Sequence, residues 1–469
     1  MNKKILFLVD HKHRDLPSIS LIGYHLKARG FTPCFVGMGD ELALIETFDP
    51  GFIVLPKPVY DYERLIQWKR EGRRLIVLET EGNPQDREFE MRIRIPPDLY
   101  LFWNETMASR YRPQLPGSQT TIAVTGFPRS DFLHPRLARV FPERQELMTE
   151  YGLDPARPTL TIATSAQDSH FSEDRVRQKR KRRMRSCAKT AEYLEIVANM
   201  RDLRNRTVEL VTKLTKDAPH INIALKPHPH ENVVFWADFI TSLNAPNVAL
   251  VVGAPINHLL LISDLHVAFN VCTTTVEALL ADVPAIELQT DRSRVLYGES
   301  HLDVPTYRAT SYADVAAAVA AELGSTRAHK HKGPDQRAKL DTYVSTFLHV
   351  HDGRRCETSA ETIAAWIRDT PAAPRGWRVL LANPRLGILL GLVRLWARVR
   401  AVRDRTVDPD LIRQVNAPSA ENARATQRIN GVFVDQEFGL FDNRMRPGDE
   451  GVWFDRFVAL ERGIEGRAQ

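Results

Sequence analysis

Short apolar runs alternate with amphipathic stretches of helical period over the first 130 residues. The apolar runs at 5–9, 52–55, 75–78 and 99–103 have the length of buried parallel strands, and a shorter one marks a strand at 35–36. Helical patterns at 18–29, 41–48 and 60–71 lie between them, after a polar loop at 10–15. Because strands and helices alternate at short spacing, the pattern predicts a parallel sheet with helices on both faces.

The alternation resumes after a proline-rich, charged segment. Further strands are predicted at 159–163, 221–225, 247–252, 265–269 and 284–288, and further helices at 207–215, 256–262, 312–323 and 359–367. We therefore predict two Rossmann-like α/β domains, an N-terminal one over 1–135 and a C-terminal one over 158–370, joined by a linker over 136–157. Residues 371–469 are predicted to form a basic amphipathic helix and a tail that is partly ordered at best.

The segment Lys226-Pro227-His228-Pro229-His230 is the first candidate for chemistry, and it directly follows the apolar run at 221–225. Its two prolines prevent a helix from starting, so we expect a rigid loop at the carboxyl end of a strand. Open α/β sheets bind their ligands at that end of the strands. A lysine and two histidines held there suit an anionic group such as phosphate, whereas the simpler interpretation is a surface turn with solvated histidines.

Three consecutive threonines, Thr273, Thr274 and Thr275, lie between the strand at 265–269 and an apolar helix. We expect them at the N-cap position of that helix. Hydroxyls, free backbone N–H groups and the helix dipole would together favour an anion there. The alternative is simple capping, which would need only one threonine.

A pair of carboxylates, Glu79 and Glu81, follows the predicted strand at 75–78, and Gly82 frees the backbone directly afterwards. A carboxylate that is partly desolvated at such a position has a raised pKa and can act as a general base. In the alternative interpretation both are solvated loop charges. A lone acidic pair before a glycine is a weak motif.

The net charge of +6 and the pI near 9.1 reflect basic residues that cluster rather than spread. Eight of the eleven residues at 175–185 are lysine or arginine, and arginines flank a tryptophan-containing apolar pattern at 386–397. No aromatic side chains are interleaved in the first cluster, which argues against nucleic acid. Both features favour an anionic membrane surface, although the second could equally pack against the core of the protein.

Other features narrow the class of protein. The four cysteines, Cys34, Cys187, Cys272 and Cys356, are far apart and predict neither a disulfide framework nor a zinc site. We see no signal peptide and no apolar stretch long enough to span a membrane, so we expect a cytoplasmic protein at the inner face of the cell membrane. No GxGxxG follows the first strand, and no acidic pair of the DxD type has a convincing setting. We therefore expect no dinucleotide, no other cofactor and no metal.

The order of these motifs resembles glycosyltransferases of the GT-B fold. The likeness is greatest to enzymes of bacterial capsule and lipopolysaccharide biosynthesis: polysialyltransferases, Kdo transferases and teichoic-acid glycerophosphotransferases. It covers roughly the first three quarters of the chain and rests on the turn at 124–131, on His228-Pro229, and on the threonines before Pro284. It implies two Rossmann-like domains whose parallel sheets face a central cleft, followed here by a C-terminal helical extension.

The resemblance also implies roles for individual residues. His228, Pro229, Lys226 and the threonines 273–275 would hold the phosphate of a CMP- or CDP-linked sugar donor. Glu277 would accept hydrogen bonds from its ribose; the alternative, with at least equal weight, is an acid in the first turn that favours the helix dipole. Glu81 would be the base that deprotonates a glycan or lipid-linked glycan acceptor. Thr80 stands where the polysialyltransferase motif has a second acid, so Thr80-Glu81-Gly82 matches that motif only in part.

Two other functions stay open at this point. The same fold serves epimerases of UDP-N-acetylhexosamines, against which the basic amphipathic helix argues mildly. A non-enzymatic protein that binds nucleic acid or a membrane through residues 175–185 is the second. Salt-sensitive binding of RNA or DNA would support the nucleic-acid version.

Overall fold

A computed structural model describes the fold. It describes residues 3–38, 40–58, 60–80, 93, 95–115, 120–174, 176, 190–269, 272–297, 306–324, 334–370, 426–429, 432–435 and 449–465. These residues group into two compact units, one drawn from 1–140, 344–419 and 444–469 and the other from 141–343 and 420–443. Within the described ranges, no helix has the length and apolarity needed to cross a bilayer.

The first unit is built on a six-stranded parallel sheet in the order β2-β1-β3-β4-β5-β6. Its elements are β1 (Lys4–Val9), α1 (Lys12–Ala28), β2 (Thr32–Gly37), α2 (Glu41–Phe48), β3 (Phe52–Leu55), α3 (Tyr62–Arg70), β4 (Arg74–Leu78), β5 (Leu99–Phe102), α4 (Glu105–Tyr111) and β6 (Thr121–Val124). The central strands are buried on both faces, as their continuous apolar runs predict.

The first helix begins earlier than its pattern predicts. We expected a loop over 10–15, but α1 already begins at Lys12, because the His11 ring accepts a hydrogen bond from the Arg14 N–H and caps the first turn. Pro17 lies inside this helix, although proline has no N–H to donate to the preceding turn.

The second unit carries another six-stranded parallel sheet, in the order β12-β11-β10-β7-β8-β9. Its elements are α5 (Arg144–Glu150), β7 (Thr159–Ala163), α6 (Thr190–Asp217), β8 (Asn222–Lys226), α7 (Val233–Leu243), β9 (Val248–Leu250), α8 (Ile256–Ile262), β10 (Leu265–Phe269), α9 (Thr273–Leu280), β11 (Ala285–Leu288), α10 (Asp291–Tyr297), β12 (Tyr307–Ala309), α11 (Tyr312–Leu323) and α12 (Pro334–Tyr343). Every strand predicted here from an apolar run is present. The helix predicted at 207–215 is much longer and already begins at Thr190.

The chain returns to the first unit after α12. It passes through a short π-helical turn, Val344–Leu348, into α13 (Arg355–Asp369), which packs on α1. Beyond it lie the hairpin strands β13 (Thr426–Ile429) and β14 (Val432–Asp435) and the helix α14 (Asp449–Glu465), which also contacts α1. Our prediction grouped residues up to 370 with the second domain, whereas the structure groups 344–370 with the first unit.

The buried carboxylate of Asp131 binds the start of α13 to the first unit. Asp131 is 1% exposed, and its two oxygens accept hydrogen bonds from the backbone N–H groups of Arg355 at 2.8 Å and Cys356 at 2.7 Å. Asp131 precedes Arg355 by 224 positions in the sequence, so a local helix pattern could not reveal this cap. The tail is likewise more ordered than predicted at 449–465, where Trp453 and Phe457 of α14 are buried.

We expect Asp131→Ala to loosen the start of α13. The substitution removes the acceptor for two buried N–H groups, and loss of an N-cap of this kind costs about 1–2 kcal/mol. Amide hydrogen exchange at the first turn of α13 measures the effect directly. Asp369→Ala, at the exposed far end of the same helix, is the matched control. Unchanged exchange in Asp131→Ala would contradict the assignment.

Candidate active site

The carboxyl edge of the second sheet contains the point at which its strand order reverses. The chain runs outward from β7 to β8 and β9, then returns to the other side of β7 to form β10. The connections that leave β7 and β10 therefore run in opposite directions along the sheet. This opens a crevice at the carboxyl ends of these two strands. Because neighbouring strands are about 4.8 Å apart, the segments after β8 and β10 flank it at a separation of roughly 10 Å.

The lysine–histidine loop begins at the last residue of β8. The backbone N–H of His228 donates to the Thr164 hydroxyl at 3.2 Å, and the ring nitrogen Nδ1 of His228 accepts from the backbone N–H of His230 at 3.2 Å. An Nδ1 that accepts has no proton, so the neutral ring carries its hydrogen on Nε2. His228 and Pro229 are half-buried and His230 is exposed, so the loop is held by specific bonds and is not a freely solvated turn.

Glu231 organises this loop, and the sequence analysis missed it. Its carboxylate is 1% exposed and accepts four hydrogen bonds: from the Thr164 hydroxyl at 2.7 Å, the Ala166 N–H at 2.6 Å, the Trp236 indole at 2.8 Å and the His228 N–H at 3.4 Å. Burial raises the pKa of Glu231, and these donors oppose that rise. Glu231 thus ties the loop after β7 to the loop after β8.

Lys226 turns its side chain back toward the protein. Its ammonium donates to the carbonyl of Ala254 at 2.6 Å. Desolvation lowers the pKa of Lys226 to about 8, because burial disfavours the charged form. The lysine is therefore charged at neutral pH but loses that charge in mildly alkaline solution.

The threonine cluster differs in position from our expectation. Cys272 occupies the N-cap of α9, and Thr273, Thr274 and Thr275 are the first three helical residues, so the N-cap prediction is wrong. Their backbone N–H groups belong to the first turn of α9. That of Thr275 donates to the Cys272 carbonyl at 3.1 Å, so those of Thr273 and Thr274 are the ones that have no partner inside the helix.

The three threonine side chains differ in environment. Thr273 is half-exposed, whereas the Thr274 hydroxyl lies 3.4 Å from Nε2 of the buried His266. Thr275 is fully buried, and its hydroxyl has no hydrogen-bond partner among the described residues. Glu277, one turn further on, is only 3% exposed, so it is not a solvated charge near the start of the helix.

The first sheet presents a second polar edge. Glu79 is 1% exposed, and its carboxylate accepts from the Tyr100 hydroxyl at 2.7 Å, which excludes the solvated-loop interpretation for this residue. Burial, then the nearby Glu79 charge, raises the pKa of Tyr100. Glu81, our predicted base, lies outside the described residues.

The strand order of the first sheet reverses between β1 and β3, where Asp10 and Lys57 follow the two strands. The same carboxylate oxygen of Asp10 contacts Lys57 at 3.1 Å and Arg14 at 3.2 Å. Arg14 is in turn paired bidentately with the fully buried Asp15, at 2.7 and 2.8 Å. This charged network was not predicted, because Lys57 is far in sequence from Asp10 and from Arg14 and Asp15, which lie in the first turn of α1.

Several predictions concern residues without a described structure. The basic cluster at 175–185, apart from the buried Val176, and the amphipathic helix at 386–397 lie outside the described residues. Of the cysteines, Cys34, Cys272 and Cys356 are free thiols, and Cys187 is not described. In the described part of the chain, no group of three or more histidine, cysteine, aspartate or glutamate side chains is arranged to hold a metal ion.

Comparisons with known proteins place the fold. No family model matches the sequence, and no curated protein matches it. Among solved structures, a histidine-to-alanine variant of the wall teichoic acid polymerase TagF matches at a TM-score of 0.53 and 14% identity, over 79% of this chain and 90% of that chain. A histidine-to-asparagine variant of TagF with CDPG matches at 0.51 and 15%, over 78% and 89%.

A third solved structure, S. aureus MnaA with UDP, matches at a TM-score of 0.50 and 11% identity, over 80% of this chain and all of that chain. These proteins share the architecture of two parallel α/β sheets. The chain therefore has a GT-B type fold, and the predicted resemblance is confirmed at the level of the fold.

Proposed function

We propose that the chain is a glycosyltransferase that moves a sugar from a CMP- or CDP-linked donor to a surface polysaccharide or glycolipid acceptor. The observation that carries the proposal is the lysine–histidine loop, which Glu231 holds beside the strand reversal of the second sheet. Such reversals are where open α/β sheets bind ligands. The GT-B type fold supports the same conclusion. One of the similar structures is a variant of the polymerase TagF with CDPG.

The donor phosphate is proposed to lie between the segments after β8 and β10. On one side, the Nε2–H of His228 would donate to a phosphate oxygen, and Lys226 would add positive charge nearby. On the other side, the first-turn N–H groups of α9 and the half-exposed Thr273 would donate. The roughly 10 Å between these segments admits a phosphate or diphosphate. Glu277 is proposed to face the ribose.

The proposed reaction forms a bond between an acceptor oxygen and the anomeric carbon of the sugar. The bond between that carbon and the donor phosphate breaks, and its electron pair goes to the phosphate oxygen. His228, Lys226 and the α9 N–H groups would stabilise this developing charge. Glu81 is proposed to take the proton of the acceptor hydroxyl. No metal is assigned a role.

The acceptor is proposed to be a glycan or a lipid-linked glycan, bound by the first unit. The charged edge formed by Asp10, Arg14 and Lys57 is suited to hydroxyl-rich molecules, because ionised side chains make strong hydrogen bonds to hydroxyls. The basic residues at 175–185 and 386–397 are proposed to hold the protein on the inner face of the cell membrane. Binding to vesicles with and without phosphatidylglycerol tests that part. Equal binding to both would contradict it.

The proposal predicts a pH dependence of nucleotide binding. Since the pKa of Lys226 is about 8, its positive charge is present below that pH and is lost as the pH rises through it. The affinity for CDP should therefore fall between pH 7 and 9.5, by up to about tenfold per pH unit above 8. Calorimetric titrations across this range measure it.

The lysine replacement Lys226→Met supplies the control for this pH profile. It should lower the affinity at pH 7 and flatten the dependence above pH 8, because no ammonium remains to titrate. A wild-type affinity that stays constant up to pH 9.5 would contradict the role of Lys226. Preference for UDP over cytidine nucleotides would keep the fold but favour an epimerase or a hexosyltransferase.

A further inference from the structure

A chain of buried polar side chains runs beneath the start of α9. It begins at Ser263, whose hydroxyl donates to the carbonyl of Leu259 at 2.8 Å and contacts the Thr161 hydroxyl. Thr161 lies 2.8 Å from Nδ1 of His266, and Nε2 of His266 lies 3.4 Å from the Thr274 hydroxyl. Ser263 is nearly buried, and both Thr161 and His266 are fully buried. The chain thus links the interior of the second sheet to the first turn of α9.

The hydrogen positions in this chain follow from counting donors. Ser263 has one hydroxyl proton and gives it to Leu259, so Ser263 accepts from Thr161. The Thr161 hydroxyl also lies 3.5 Å from the Leu265 carbonyl, but Ser263 has no second proton, so the shorter contact between the two hydroxyls takes the Thr161 proton. Thr161 then accepts from Nδ1–H of His266. The neutral imidazole then has a lone pair on Nε2, which accepts the proton of Thr274. The sulfur of Cys272, 3.3 Å from the same hydroxyl, is a much weaker acceptor than an imidazole nitrogen.

Burial keeps the imidazole of His266 neutral, and Nε2 must be unprotonated to accept the proton of Thr274. Desolvation lowers the pKa of His266 to about 3, so the imidazole carries no charge at any pH near neutrality. No ionised side chain contacts the ring among its described hydrogen bonds, which are made to two threonine hydroxyls. A histidine in this state cannot act as an acid on a substrate, but it can hold a neighbouring hydroxyl in one orientation.

We infer that His266 is a positioning residue of the donor site, which holds Thr274 and so fixes the first turn of α9. The inference rests on the proposed function and adds to it a residue that the sequence did not suggest. It also assigns different roles to the threonines at the start of α9. Because Thr274 gives its only proton to His266, it has none for a phosphate, and anion binding falls to Thr273 and the backbone N–H groups.

A matched pair of substitutions tests this role. In His266→Gln the terminal amide stands near the position of Nε2 and can accept from Thr274. In His266→Asn the shorter amide stands near Nδ1 and can reach only Thr161. We expect His266→Gln to bind CDP within about threefold of wild type, and His266→Asn to bind about tenfold more weakly, the effect of one ordinary hydrogen bond. Thr274→Ser should resemble wild type, and Thr274→Val should resemble His266→Asn.

A second measurement determines the protonation state and tautomer of His266 directly and needs no ligand. Two-bond ¹H–¹⁵N spectra of ¹⁵N-histidine-labelled protein should show one neutral Nδ1–H imidazole that does not titrate between pH 5 and 8, and that signal should be absent in His266→Gln. An Nε2–H or charged ring at neutral pH would overturn the inference. So would equal CDP affinity of both variants and wild type.

The two measurements separate the inference from the proposed function. If wild type binds no nucleotide, the proposed function fails, and the spectra of labelled Thr273, Thr274 and Thr275 then decide whether His266 positions α9. In that case the inference requires backbone shifts in His266→Asn that are absent in His266→Gln. Shifts of equal size in both variants would overturn it.

Discussion

Glu231→Ala is expected to destabilise the second unit by about 3 kcal/mol or more. The substitution leaves three well-formed donors, from Thr164, Ala166 and Trp236, without an acceptor in a buried site, and each costs about 1–3 kcal/mol. Relief of the buried charge offsets part of this sum, because burial already raises the pKa of Glu231. For a unit of this size, the thermal midpoint should fall by about 10 °C.

The glutamine substitution separates charge from hydrogen bonding. Glu231→Gln keeps one carbonyl oxygen but turns an NH₂ group toward two donors, one of which, the Thr164 hydroxyl, can reverse and accept. Its loss of stability should be about half that of the alanine variant. Glu209→Gln is the control, since Glu209 is 40% exposed and pairs with Lys213 on the surface of α6. A midpoint for Glu231→Ala within 2 °C of wild type would show that this network does not hold the loops.

His228→Ala should have the largest effect on the reaction. If its Nε2–H stabilises the leaving phosphate, its removal should lower kcat by about 100- to 1000-fold, the usual effect of losing one donor to developing charge. The fold should persist, because the backbone N–H of residue 228 still donates to Thr164. Release of nucleotide from CMP-Kdo and CMP-sialic acid, with a cell-envelope extract as acceptor, measures the rate.

Replacement of a second histidine is the control for the rate of His228→Ala. His220 is exposed in the turn before β8, and His220→Ala should leave the rate unchanged. If a donor is turned over by wild type and His228→Ala keeps more than a tenth of the rate, the leaving-group role of His228 is wrong. An unchanged thermal midpoint in the variant is needed to attribute a loss to chemistry.

Much of the fold follows from local patterns. Apolar runs such as Phe52–Leu55, Thr159–Ala163 and Leu265–Phe269 are buried on both faces, which made their strand character visible in the sequence. The helices α2, α8 and α11 begin and end where their patterns predict. The start of α1 was missed because residues 10–15 were interpreted as a polar loop, whereas the His11 ring caps a helix that begins at Lys12.

Features that depend on long-range contacts escaped prediction. The return of α13 to the first unit depends on Asp131, which local periodicity cannot connect to Arg355 and Cys356. Similarly, the apolar positions of α14 did not show which part of the chain they pack on. In the structure Trp453 and Phe457 are buried, and Phe457 contacts Tyr24 of α1.

The candidate site also contains some residues that the sequence identified and others that only the fold revealed. The histidine of the Lys226–His230 loop was visible because two prolines mark a rigid turn after a strand. Glu231, directly after that loop, was not singled out, because only the fold brings Thr164 and Ala166 next to it. His266 was hidden inside an apolar strand, where a lone histidine has no pattern to distinguish it. Sequence therefore identified a loop, and the fold identified the groups that hold it.

The most direct test of the proposed function is calorimetric titration of the purified full chain with CMP, CDP, UDP and GDP, repeated on His228→Ala. The account predicts preferential binding of a cytidine nucleotide, weakened at least tenfold in the variant and unchanged in His220→Ala. Binding of none of the four nucleotides by a folded wild-type protein would contradict the donor site at the carboxyl edge of the second sheet.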